Sequence, residues 1–101
     1  MFIHKYLNDF YFTQIMFNYD IKYLNTLSEE NFIKIYNLFK EYNFYFIEDI
    51  ILNYLEIFSF EYNDVLKGII LLKEKLGDDF VSIIGKNITH LDLLLGIDEE
   101  N

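Results

Sequence analysis

The chain contains no cysteine, so neither a disulfide framework nor a thiolate metal site can form. That absence suits a reducing compartment. Arginine is missing as well, which removes the side chain that grips phosphate and guanine with two parallel hydrogen bonds. Eight lysines face seventeen carboxylates, for a net charge of −9. A nucleic-acid binder instead gathers cations on one face to displace counterions. The balance argues against direct DNA or RNA binding. There is no proline, and only four glycines. No linker is visible, and turns have to be read from helix caps and from periodicity. Long apolar runs are missing too. Ile69 to Leu72 is typical of the longest, far short of a membrane span. The start, Met1-Phe2-Ile3-His4-Lys5, leads into Asn8 and Asp9 with no small-residue cleavage site, so no secretion leader is expected. These features point to a soluble protein of the cytoplasm, the host cytoplasm if the producer is a virus.

What is present is apolar and aromatic. The 101 residues suit one domain, and 52% are hydrophobic, enough for a core without staples. Alanine and tryptophan are absent, while Ile, Leu, Phe, Tyr, Asn and Lys dominate. Codons for these residues are AT-rich, which accounts for many of the rings without a special aromatic function.

The patterning predicts an all-α fold, either a compact bundle or a short helical repeat of five to six helices. Residues 1–25 form an aromatic N-terminal part, 26–96 the helical core and 97–101 a frayed tail. Over residues 6–24, Tyr6, Phe10, Phe17 and Leu24 could share a face of one or two short helices. A helix is expected over 27–42. Thr26 and Glu29 read as its capping box, and Phe32, Ile35, Tyr36, Phe39 and Tyr42 as its apolar stripe. A second, over 46–58, would bury Ile47, Ile50, Ile51, Tyr54, Leu55 and Phe58. The next would start after an N-cap at Ser59, carry an apolar stripe of Tyr62, Val65, Leu66, Ile69, Leu72 or Lys73, and Leu76, and end at Gly77. Two short helices would follow, Phe80 to Ile84 stopped by Gly85, and one capped by Asn87 or Thr89 and stopped by Gly96.

The sequence also repeats itself. At a shift of 33 positions, Leu38, Lys40, Glu41, Ile50 and Ile51 recur as Leu71, Lys73, Glu74, Ile83 and Ile84. Phe39, Ile47 and Phe58 recur as Leu72, Phe80 and Leu91. At a shift of 35, Ile15, Asn18 and Tyr19 match Ile50, Asn53 and Tyr54. The stretch Leu71-Leu72-Lys73-Glu74-Lys75-Leu76-Gly77, with Val81 to Ile84 and Ile88 to Leu91, resembles one repeat of the mitochondrial transcription termination factor family. Phe39-Lys40-Glu41 through Phe58 would be the repeat before it. The resemblance implies a curved helical solenoid, which in that family binds nucleic acid. Leu55 and Ile88 stand where the family has proline, and the acidic charge runs against its function. Only the architecture is carried over.

Catalytic chemistry has little to build on. His4 and His90 are the two histidines, far apart and without a spaced carboxylate partner. Asp78-Asp79 and Glu48-Asp49 are adjacent pairs whose side chains diverge on a helix, and neither sits in a calcium-loop pattern. Ser28 and Ser59 read as caps, and Ser82 lies in no nucleophile elbow. The single glycines cradle no phosphate. No catalytic residue, cofactor or metal is expected. What remains is surface. Glu48, Asp49, Glu56, Asp78, Asp79, Asp98, Glu99 and Glu100 outnumber nearby lysines and could form a face that captures a basic protein partner. The expected function is a small acidic, non-enzymatic inhibitor of the phage anti-defence, immunity or antitoxin type, blocking a basic surface such as that of a nucleic-acid-handling enzyme. The alternative is a structural or adaptor repeat that oligomerises or joins an assembly.

Overall fold

A computed structural model describes residues 1–100, with side chains through Gly96. Among the described residues it is helical, with no strand. A 3-10 turn, Phe2–Tyr6, leads into α1 (Asp9–Asn18) and α2 (Ile21–Thr26). Then come α3 (Glu29–Glu41), α4 (Ile47–Asn53) and a 3-10 turn, Leu55–Ser59. Next are α5 (Tyr62–Leu76), α6 (Phe80–Lys86), a 3-10 turn Ile88–Leu91, and α7 (Asp92–Glu100).

The element starts repeat with the period read from the residues. Those at Glu29, Ile47 and Leu55 are followed 33 positions later by those at Tyr62, Phe80 and Ile88. Equivalent core positions are buried in both units: Phe39 and Leu72, Ile47 and Phe80, Ile51 and Ile84, Phe58 and Leu91. Each unit turns through one left-handed residue, Asn43 (φ 65°) and Gly77 (φ 88°). The Cα radius of gyration is 13.3 Å, the value of a compact domain of about 100 residues. The two units and the N-terminal helices therefore share one core.

Aromatic rings run through that core. Phe32 stacks on Phe58 at 4.8 Å, Phe58 meets Phe39 at 5.7 Å, and Phe39 meets Phe44 edge-on at 5.1 Å. The N-terminal turn closes one end. Its Ile3 is fully buried, and Phe2 and Tyr6 pack on Phe32 at 5.3 and 5.0 Å. Lys5 reaches Glu29 at 3.2 Å on the rim.

Some caps fall where expected and some do not. Of the two read at the start of α3, Ser28 holds and Thr26 does not: the Ser28 Oγ accepts the Asn31 N–H at 3.2 Å. The Thr26 hydroxyl turns back to the Tyr23 carbonyl instead. The expected helix over 46–58 breaks at Tyr54, whose backbone (φ −138°, ψ 44°) starts the 3-10 turn. All six of its expected core residues are buried even so, because the break turns the chain while the apolar face stays inward. Ser59 ends that turn, and α5 begins after Glu61 without a side-chain cap. Of the glycines expected to stop helices only Gly77 does. Gly85 lies within α6 and Gly96 within α7.

Candidate docking surface

Helix α1 is held from below at both ends of its first turns. Asn8 caps it, its Oδ1 accepting the Tyr11 N–H at 3.0 Å. The Asn8 N–H donates to Glu48 Oε2 at 3.0 Å, and the Tyr11 hydroxyl donates to Asp49 Oδ1 at 2.7 Å. The hydrogen bond to Asp49, followed by burial, holds the Tyr11 hydroxyl above its ordinary pKa. Ile15 is the residue that α1 commits fully to the core.

The opposite face is bare. Phe10, Thr13 and Phe17 follow at three and four residues, so they share one side of the helix. Phe10 is 65% exposed and Phe17 88%. Met16 beside them and Ile21 at the start of α2 are exposed too. The expected shared face of Tyr6, Phe10, Phe17 and Leu24 is therefore divided. Tyr6 packs on α3 and Leu24 is buried, while the two phenylalanines point out. Sequence reasoning missed this surface. Its signal was aromatic residues on every side of a ten-residue helix, which cannot bury all its sides against a single neighbour.

Among the described residues the acidic candidates stand on three parts of the chain: α4, the 3-10 turn after it, and the turn between α5 and α6. Glu48 and Asp49 are half-buried and engaged with Asn8 and Tyr11. Glu56 is exposed in the 3-10 turn after α4. The rings of Tyr19 and Tyr23 stack at 5.7 Å. Burial first, and Glu56 next, push both hydroxyls above their ordinary pKa. Asp78 and Asp79 are exposed in the turn between α5 and α6. The side chains of Asp98, Glu99 and Glu100 lie outside the described residues.

The histidines stay apart from any reactive partner set. His4 stacks on Phe12 at 4.2 Å with Nε2 3.6 Å from Asp9, and His90 is half-buried in the 3-10 turn before α7. Among the described residues no three His, Asp or Glu side chains are grouped to hold a metal ion. No charged side chain is buried among them. An open cleft of about 300 Å³ is lined by Phe46, Asp49, Asn53, Gly85, Lys86 and Ile88. Its polar groups face one another: the Asn53 amide donates to the Asp49 carbonyl at 2.8 Å, and the Asp49 carboxylate takes the Tyr11 hydroxyl. No helix among the described residues is long and apolar enough to cross a membrane. Comparison with protein-family models, curated proteins and solved structures finds no match to this chain.

Proposed function

We propose that this chain is a small non-enzymatic protein-binding inhibitor, of the anti-defence, immunity or antitoxin type, and that it docks through the outer face of α1. The observation that carries the reading is Phe17, 88% exposed beside Phe10 on a helix anchored to the core by its other side. Covering a phenylalanine is worth roughly 1.5–3 kcal/mol. Leaving two in water on a tethered helix favours a partner over plain solubility. The acidic charge then has a supporting role, speeding the approach of a basic partner. A second reading, an adaptor built on helical repeats, draws support from the 33-residue period of the elements.

Affinity capture from the producing or host cell tests the site. Wild type is run beside F10S/F17S and D78N/D79S. The proposal expects a stoichiometric partner on wild type and on the acidic variant, lost from the aromatic variant. Loss from D78N/D79S alone would move the site to the turn between α5 and α6. Equal retention by all three would overturn both surfaces.

A further inference from the structure

We infer that the partner element seated on α1 is a basic amphipathic helix, its apolar stripe covering Phe10, Phe17 and Ile21 and its flanking lysines or arginines reaching Asp9, Asp20 and Glu56. The inference rests on the docking face proposed above and adds the chemistry of what covers it. Size comes first. The ten residues of α1 span about 15 Å, the length of roughly three helical turns. Two or three apolar residues of a crossing helix cover that span.

Charge selects the occupant. Helix α1 carries no lysine, and Asp9 at its start is wholly exposed. Asp20 stands at the corner between α1 and α2, where its Oδ1 accepts the Lys22 N–H at 2.8 Å. The Glu56 charge acts on the hydroxyls of Tyr19 and Tyr23, the two stacked tyrosines on either side of that corner. Against these stand Lys22, His4 near Asp9, and Lys5, already 3.2 Å from Glu29. The apolar stripe is thus edged by carboxylates at both ends. A second copy of this chain would bring like charges together and join two molecules of −9 each. A basic helix removes that repulsion while it covers the rings.

The test titrates the full-length protein with three 18-residue peptides, followed by nuclear magnetic resonance. One is an amphipathic Leu/Lys helix and one a Leu/Glu helix of the same spacing. The third is a Lys/Ser peptide with no apolar stripe. At 0.15 M salt the Leu/Lys peptide is expected to bind at least tenfold tighter than the others and to shift signals across α1 and α2. Raising salt to 1 M, where screening acts over about 3 Å, narrows its lead over Leu/Glu. F10S/F17S, checked for folding by circular dichroism, lowers affinity at least tenfold. D9N/D20N narrows the Leu/Lys preference, and D78N/D79S leaves it unchanged. Equal binding of Leu/Lys and Leu/Glu, lost in F10S/F17S, would keep the docking face and overturn the basic partner. Leu/Lys binding that survives F10S/F17S would overturn both. So would tightest binding of Lys/Ser, which signals bulk charge attraction. No binding of any peptide would overturn the basic helix. A dimer in sedimentation equilibrium that Phe17→Ser abolishes would make a second copy the occupant, and Phe17-dependent binding to phosphatidylcholine vesicles would make it a bilayer. Either result overturns the inference.

Discussion

The Tyr54 hydroxyl donates a 2.5 Å hydrogen bond to Oδ1 of Asp92. It thereby ties the break after α4 to the first residue of α7. Burial, and then this bond, push the Tyr54 pKa up to about 12. The folded state therefore holds the proton where an unfolded tyrosine, near 10, releases it. The contribution is fully present below pH 10 and is lost as pH rises toward 12. Urea denaturation should show stability falling by roughly 2–3 kcal/mol across that window, at about 1.4 kcal/mol per pKa unit. Tyr54→Phe should cost about 1–3 kcal/mol at pH 7 and flatten the alkaline fall.

The second tether is Tyr11 to Asp49, at 2.7 Å. Asp49→Ala removes the acceptor without changing the rings of the core. Hydrogen exchange should quicken most across Asp9 to Asn18 and least across α3 and α5. A loss of about 1–2 kcal/mol in global stability is expected. Uniform exchange across the whole chain would show that α1 unfolds only with the core.

The helical class, the repeat period and most core positions were legible because burial on one helix face leaves a regular trace. Phe32, Ile35 and Phe39 on α3, and Val65, Ile69 and Leu72 on α5, follow that spacing and are buried. The break at Tyr54 was not legible. Its neighbours continue an apolar face, and the turn is stabilised by Asp92, 38 positions away. The engagement of Glu48 and Asp49 was not legible either, since only tertiary contact binds them to the N-terminal segment. The face of α1 was hidden because exposed and buried phenylalanines look alike in a chain so rich in rings.

Two glycines should respond oppositely to the same substitution. Gly77 adopts φ 88°, a region that a side chain strains. Gly77→Ala should lower stability by about 1 kcal/mol or more. Gly96 lies within α7, and a Cβ there meets nothing within 4 Å. Gly96→Ala should raise stability by up to about 1 kcal/mol through helix propensity. Thermal denaturation of both variants checks the pair.

Core and surface rings should separate in the same assay. Phe39 is fully buried against Phe44 and Phe58, and Phe39→Ala should cost about 3–5 kcal/mol. Phe17→Ser should change stability by less than about 0.5 kcal/mol. A large loss from Phe17→Ser would assign that ring to folding and withdraw it from docking.

The most direct measurement of the central claim is the binding kinetics of the captured partner with wild type and F10S/F17S, across ionic strength. If the face of α1 supplies the affinity, F10S/F17S should dissociate at least tenfold faster at every salt concentration. Wild-type association should slow as salt rises, with dissociation little changed. Unchanged dissociation of F10S/F17S, together with weakened capture by D78N/D79S, would contradict the account and return the interface to the acidic turn between α5 and α6.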